Sequence, residues 1–254
     1  MTVRDAAQLS VTSSVAVTVT EQTVVVAPPA TIAHVQSAST TADASALAIA
    51  EPFAAATTAS NLIVAAVSWG SSATLSCADT QGNSYLVATT RYDPANNQSL
   101  AICYAVNITG GPTTVTATFS GSAPYRRLAI QEYSGVATDS PLDGVASNLA
   151  AGTTATDGVT STPAFTTSHG DLLFGAVMDD ANVTTIAAGT GFVPRQHLNN
   201  ADLVTEDRVQ AVAGPVAATY TFGAADRYLA QLVAFKARTD ALDTTSTATA
   251  TPER

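Results

Sequence analysis

The sequence predicts an all-β protein, built as a large antiparallel β-sandwich of jelly-roll-like type, from three observations. The chain has 254 residues, of which 46% are hydrophobic and 12% are charged. Its apolar content comes mostly from Ala and Val, and Thr and Ser take the place of charged side chains, which favours strands. No segment keeps a helical period beyond about two turns, apart from an Ala-rich stretch at 41–56 that Pro52 interrupts.

Strand candidates follow one another along most of the chain. Each is a short apolar or alternating run, bounded by turn residues such as those at Gly82-Asn83 and Gly214-Pro215. A many-stranded antiparallel sandwich is therefore expected. The candidates are residues 14–20, 22–27, 31–37, 61–69, 84–90, 99–106, 113–119, 125–133, 171–178, 202–212, 217–222 and 228–235.

The chain divides into three regions. Residues 1–29 form an N-terminal extended arm with two strand candidates, which ends at Pro28-Pro29, a pair that breaks a strand ladder. Residues 30–238 form the sandwich body, and residues 239–254 form a polar C-terminal tail that is too poor in apolar surface to fold alone. Because an isolated two-stranded hairpin is marginal in water, the arm is expected to pair either with the body or with another chain.

Three sequence matches in the same order suggest that the body is internally duplicated, with halves at about 30–140 and 141–238. The spacing of roughly 100 residues is too long for a solenoid repeat and suits two halves of one sandwich or two stacked sandwiches. The alternative is chance similarity between strands of the same composition. The matched segments are 61–67 with 171–177, 110–119 with 213–222, and 125–131 with 225–231.

The charge and hydropathy patterns exclude some partners. Twenty acidic and ten basic side chains give a formal net charge of −10, and Lys236 is the only lysine. No basic stripe is present that would neutralise phosphates, so we expect no nucleic-acid partner. No run of about 18 apolar residues is present, so we expect no membrane span. A secretory signal needs an unbroken apolar segment near the N-terminus, and Asp5 and Gln8 interrupt this segment. We therefore expect either that the protein is made without export or that its signal has already been removed.

No motif points to catalysis. The sequence has no G-x-S-x-G, G-x-x-x-x-G-K, H-E-x-x-H or C-x-x-C pattern. His34, His169 and His197 lie far apart and are expected at the surface or hydrogen-bonded in the core. A triad assembled from distant positions would leave no local pattern, but nothing recommends one. We therefore predict a protein that is not an enzyme and has no cofactor other than a candidate calcium ion.

Acidic turns are the candidates for a calcium site. Asp79 and Asn83 lie between two strand candidates, and Asp179-Asp180 ends another. Calcium takes roughly six to eight oxygen ligands from such loops. The alternative, favoured by the lack of a D-x-D-x-D-G pattern, is that Asp and Asn simply form turns.

Two cysteines, Cys77 and Cys103, allow one disulfide or two small buried hydrophobes. Both lie in strand-like runs, and a hairpin formed by the segment between them would bring them together. The sequence leaves both interpretations open.

Two aromatic residues are candidates for a carbohydrate platform. Trp69 ends an apolar strand candidate, and Tyr92 is followed by Asp93, Asn96 and Asn97, which would bind hydroxyl groups. The alternative is that Trp69 lies in the core, because it continues an apolar run. An aromatic content of only 6% argues against a dedicated lectin.

Five segments form a more specific pattern: 61–69 (NLIVAAVSW), 79–85 with its Gly-Asn turn, 102–105 (ICYA), 110–119, and 132–143 with Glu-Tyr-Ser-Gly-Val and Pro-Leu-Asp. Together they resemble a β-sandwich module of secreted bacterial surface proteins and of structural proteins of tailed bacteriophages. The resemblance covers about residues 31–237. It implies a jelly-roll or immunoglobulin-like sandwich with binding or architectural work and no catalytic residues. The two cysteines and the arm are not part of the pattern.

We therefore expect a structural protein displayed on a particle surface, most specifically a head-decoration or tail-associated protein of a phage virion. Its partners would be further subunits, through self-association or a capsid or tail lattice. The alternative is a carbohydrate-binding or adhesive module of an exported bacterial protein, located at the cell surface.

Overall fold

The fold is that of a computed structural model, and every element in its described part is a β-strand. All strand pairs among the described residues are antiparallel, which confirms the predicted fold class. The strand candidates of the N-terminal arm and the C-terminal tail beyond Thr239 lie outside the described residues. The described residues are 30–150, 159–179, 185–198, 203–224 and 226–239.

The first eight strands have a jelly-roll arrangement, in which strands from the start of this segment pair with strands from its end. Strand β1 pairs with β8, β2 with β7, and β3 with β6, as in a hairpin ribbon that is rolled up. They form a five-stranded sheet in the order β1-β8-β3-β6-β5 and a three-stranded sheet in the order β2-β7-β4. The strands are β1 (Ala33–Ala42), β2 (Ala46–Pro52), β3 (Leu62–Trp69), β4 (Leu75–Asp79), β5 (Leu86–Asp93), β6 (Gln98–Ala105), β7 (Thr114–Ala123) and β8 (Arg126–Ser134).

The remaining strands repeat the same nesting. The second five-stranded sheet has the order β9-β18-β12-β15-β14 and the second three-stranded sheet the order β10-β17-β13, with a short extra pair β11-β16. The segments matched in the sequence lie on topologically equivalent strands of the two halves. The strands are β9 (Leu142–Ala150), β10 (Val159–Ser161), β11 (Phe165–Thr167), β12 (Asp171–Asp179), β13 (Ile186–Ala188), β14 (Val193–Leu198), β15 (Leu203–Gln210), β16 (Gly214–Val216), β17 (Thr219–Phe222) and β18 (Tyr228–Lys236).

The two five-stranded and the two three-stranded sheets form four layers with three apolar cores between them. The two five-stranded sheets face each other across a central core, which includes Val64 from β3 and Phe174 from β12. Each also packs its other face on a three-stranded sheet, through one core around Trp69 and one around Phe222. Both faces of β3 and β12 are therefore buried. Burial on two sides explains why these strands are continuous apolar runs rather than alternating ones.

Strand β2 corrects the reading of the Ala-rich stretch at 41–56. The segment is extended and pairs with β7 over Ala46–Pro52, with Pro52 as its last residue. Pairing within a sheet overrides the helix propensity of alanine, and a proline is tolerated at a strand end.

No helix in the described residues is long and apolar enough to cross a membrane.

Cys77 and Cys103 form a disulfide with a Cα–Cα distance of 6.6 Å. Cys77 lies on β4 of the outer sheet and Cys103 on β6 of the central sheet. The bond therefore joins two layers across the core of the first half, and strand β5 lies between the two cysteines in the chain.

The outer strands of both five-stranded sheets carry β-bulges. Register shifts occur at His34/Gln36 in β1, Val87/Thr89 in β5 and Pro194/Gln196 in β14. In β9, Leu142 pairs with Phe235 and Gly144 with Ala234, which leaves Asp143 as the extra residue. Bulges distort an edge and oppose its pairing with another sheet, so these edges are protected against uncontrolled aggregation.

Candidate functional site

Asp207 is the centre of a polar network in the central core. Its carboxylate accepts a hydrogen bond from the hydroxyl of Tyr133, with an O–O distance of 2.6 Å. It also accepts two from the guanidinium of Arg195, at 2.6 and 3.0 Å. Burial and the neighbouring negative charge of Asp207 raise the pKa of Tyr133 well above its ordinary value. Because Tyr133 lies on β8 and Asp207 on β15, this network joins the two halves.

Two buried glutamines make further links between the halves. Gln131 Nε2 donates to Thr205 Oγ1, and Gln231 Nε2 donates to the carbonyl oxygen of Leu100, both at 3.0 Å. Buried polar groups that are hydrogen-bonded fix one arrangement of the surfaces that they join. These contacts therefore specify how the two five-stranded sheets face each other.

Asp93, expected beside the carbohydrate platform, lies instead in an interior ion pair. Its carboxylate binds Arg227 in a bidentate manner, through the Nε atom and through Nη2 at 2.6 Å. Hydrogen bonds from Arg227 lower the pKa of Asp93 despite the opposing effect of burial. A fully buried, paired carboxylate is not available to a ligand in solution, so this expectation is corrected.

Trp69 and Tyr92 line the same open pocket of about 350 Å³, but only one of them presents its ring to solvent. Trp69 is 1% exposed, packs on Phe119 at a centroid distance of 5.3 Å and donates from Nε1 to the carbonyl of Ala73. Tyr92 is 37% exposed. The tryptophan is therefore an inner wall of the pocket, and the tyrosine is its rim.

Asn97 holds the rim of this pocket in place. Its Oδ1 accepts from the Tyr92 hydroxyl at 2.9 Å, and its Nδ2 donates to the carbonyl of Gly70 at 3.1 Å. Asn97 has a φ of 56°, a left-handed conformation that asparagine tolerates. Asn96 precedes it in the same exposed turn. The pocket is lined in addition by Ser72, Leu75, Val87 and Thr90.

Of the calcium candidates, Asp79 and Asn83 form a self-contained turn. Asp79 accepts from the amide of Gln81 at 2.9 Å, from Asn83 Nδ2 at 2.7 Å and from the Tyr85 hydroxyl at 3.1 Å. Asn83 Oδ1 accepts from the amide of Thr109 at 2.7 Å. Each carboxylate oxygen of Asp79 already accepts two hydrogen bonds, which leaves no lone pair for a cation, so the geometry is that of turn chemistry.

The other calcium candidates are Asp179 and Asp180. Asp179 is buried at the end of β12. Asp180 lies outside the described residues.

Asp143, Ser168, His169 and Asp171 form a cluster that was not predicted from the sequence. Asp143 lies in the bulge of β9, and the other three residues lie at the entrance to β12. Ser168 donates to Asp143 from its hydroxyl and from its amide, the latter at 2.5 Å. His169 Nδ1 lies 2.7 Å from Ser168 Oγ and 3.5 Å from Asp143 Oδ1. The only signal in the sequence is the His-Gly-Asp spacing, which is too common to identify a site.

The two carboxyl groups of this cluster titrate differently. Burial, together with the adjacent Asp143, raises the pKa of Asp171 to about 7. Burial would also raise the pKa of Asp143, but hydrogen bonds from Ser168, Asp171 and His169 lower it to about 2. Asp143 is therefore the member of the pair that ionises at the lower pH.

This cluster does not have the geometry of a Ser-His-carboxylate relay. In such a triad the hydroxyl and the carboxylate contact opposite nitrogens of the imidazole. Here Ser168 Oγ and Asp143 Oδ1 both approach Nδ1 of His169. The carboxylate therefore does not orient the ring toward the hydroxyl as it does in a triad.

A buried acid in the second half occupies the place of a cysteine in the first. Strand pairing places Glu206 opposite Gly175, as Cys103 is opposite Ala65 on the equivalent strands. Glu206 accepts from the amide of Gly189 at 2.8 Å and interacts with the Tyr220 hydroxyl. A polar contact between layers thus stands where the first half has its disulfide.

The ionisation of Glu206 should make the fold less stable as the pH rises. Burial raises the pKa of this carboxyl from 4.5 to about 8. Its contribution is complete below the pKa of the unfolded chain and is lost as the pH rises through the folded pKa. Relative to wild type, Glu206→Gln should gain on the order of 4 kcal/mol of unfolding free energy between about pH 5 and pH 9. Urea denaturation at several pH values measures the unfolding free energy of both proteins. The same pH dependence in Glu206→Gln and in wild type would refute the assignment.

Comparison of the chain with protein-family models, with curated proteins and with solved structures gave no match.

Proposed function

We propose that this protein is a non-enzymatic structural component displayed on a particle surface, as a head-decoration or tail-associated protein of a phage virion. The observation that carries the proposal is the polar network around Asp207, which locks two sandwiches into one block. A block of this kind suits a load-bearing or display role.

Assembly is assigned to the arm rather than to the body. The outer strands of both five-stranded sheets are bulged and so oppose direct edge pairing. The arm is rich in Val and Thr and contains two strand candidates at 14–20 and 22–27. An extended segment of this type gains main-chain hydrogen bonds by strand addition to a neighbouring subunit. The inter-layer disulfide is in keeping with exposure to an oxidising environment outside the cell.

Deletion of residues 1–29 should abolish self-association and particle binding while the body stays folded. The body has its own cores, and its two ends are joined by a hydrogen bond from the Ala30 amide to the Arg238 carbonyl, at 2.7 Å. Light scattering after size-exclusion chromatography would measure the oligomeric state. Deletion of residues 240–254 is the matched control and should leave assembly intact. Unchanged assembly after removal of the arm would contradict the proposal.

A carbohydrate-binding or adhesive module is the second candidate, favoured by the pocket at Trp69 and Tyr92. The pocket combines an exposed ring with the hydroxyl groups of Ser72 and Thr90. A sugar face would stack on Tyr92, while hydroxyl groups would bind the polar lining. In this candidate the affinity for a glycan depends on Tyr92, because Trp69 has almost no exposed surface.

A further inference from the structure

We propose that Asp143, His169 and Asp171 form a binding site for one divalent transition-metal ion of the Zn²⁺ type. One ligand atom from each side chain lies within 4.8 Å of the other two. The site is separate from the polar network of the central core and from the pocket at Tyr92.

The burial of the Asp171 carboxylate without a donor is the observation that points to a ligand. This residue is fully buried, and no amide, hydroxyl or cationic group among the described residues donates to its carboxylate oxygens; its polar contact is with the like-charged carboxyl group of Asp143. A buried carboxylate needs donors, a proton or a cation to offset its lost hydration. Lys236 lies opposite Asp171 in the ladder with β18, but its ammonium group donates to the carbonyl of Ser140 at 2.9 Å. A metal ion would supply the missing partner.

The bulge in β9 places the second carboxylate. Asp143 is the extra residue of this bulge, so its side chain is released from the alternation of the strand. The amide and hydroxyl of Ser168 then bind it and orient it toward His169 and Asp171. Such outer contacts are typical of ligating carboxylates, because they fix the ligand before the ion arrives.

The donor set selects the class of ion. Two carboxylate oxygens with one imidazole nitrogen suit Zn²⁺ and similar ions, whereas Ca²⁺ takes oxygen ligands only. The side chain of His169 is 53% exposed, so the site opens to solvent on that side. Water would complete a coordination shell that has three protein ligands.

Calorimetric titration of the tag-free, chelator-treated full chain with Zn²⁺ alone tests this proposal. We expect saturable binding of one ion per chain, and at least about a 10-fold loss of affinity in Asp171→Asn and in His169→Ala. Asp171→Asn keeps the shape of the side chain and removes its charge. The histidine variant alters an exposed ring, so it remains informative if the buried variant misfolds.

His197→Ala is the matched control, because His197 is an exposed histidine outside the cluster. It should bind Zn²⁺ as the wild type does. Absence of Zn²⁺ binding, binding of Ca²⁺ but not Zn²⁺, or equal affinity in wild type, Asp171→Asn and His169→Ala would overturn the proposal.

Discussion

Replacement of Asp207 by alanine should lower the free energy of unfolding by about 3 kcal/mol. The substitution removes the acceptor of the fully buried Tyr133 hydroxyl and the ion-pair partner of Arg195. The tyrosine cannot regain water without opening the central core. Arg195 is partly exposed and recovers some hydration, which keeps the loss below that of a wholly buried pair.

Urea denaturation of Asp207→Ala and of wild type measures this loss. Asp139→Ala is the matched control, since Asp139 is an exposed carboxylate with one long contact to Ser140. The control should stay within about 0.5 kcal/mol of wild type. A similarly small effect for Asp207→Ala would mean that the network does not hold the two halves together.

Trp69→Ala should destabilise the protein by about 3–5 kcal/mol, the usual loss for a large aromatic removed from a core. The ring is 1% exposed and packs on Phe119 between the two sheets of the first half. Tyr92→Ala should cost less than about 1 kcal/mol, because the tyrosine lies at the rim of the pocket. Thermal or urea unfolding would distinguish the two. Equal stability losses would contradict the assignment of Trp69 to the core.

The same pair of variants separates the two candidate functions. If the pocket binds glycans, wild type should bind on a polysaccharide panel and Tyr92→Ala should not, while remaining folded. If no polysaccharide is bound, the adhesive candidate is removed. Trp69→Ala alone would not be informative, since its loss of stability lowers any activity.

The central strands could be predicted from the sequence because they are the most apolar. Segments 61–69, 171–178 and 228–235 are nearly continuous apolar runs, and strands β3, β12 and β18 occupy almost the same residues. Strand β9 was not predicted because polar residues and a glycine interrupt the apolar residues of its sequence, LDGVASNLA. That glycine is required, since a Cβ on Gly144 would collide with the ring of Phe165. Such a requirement is visible only after folding.

The internal matches illustrate what periodicity can and cannot settle. The sequence matches Gln131 with Gln231. In the strand pairing, Gln131 lies opposite Val64, and Val233 lies opposite Phe174, which is the equivalent of Val64 in the second half. Gln131 is therefore structurally equivalent to Val233, two residues away from its match in the sequence. A shift of two residues keeps every side chain on the same face of a strand, so the sequence pattern is insensitive to it.

The candidate sites depend on contacts between distant segments. Asp93 meets Arg227 across 134 residues, and this partner converts an apparent ligand-binding carboxylate into a structural one. Asp143 meets His169 and Asp171 only because β9, β18 and β12 are neighbours in one sheet. Neither meeting follows from local sequence, because strand order is decided by the whole sheet.

Differential scanning calorimetry of the full chain tests most directly whether the two sandwiches form one body. Because they share the central core and the Asp207 network, we expect one transition whose calorimetric enthalpy equals its van't Hoff enthalpy. Two separate transitions, or a calorimetric enthalpy about twice the van't Hoff value, would show that the halves unfold independently and would contradict the account.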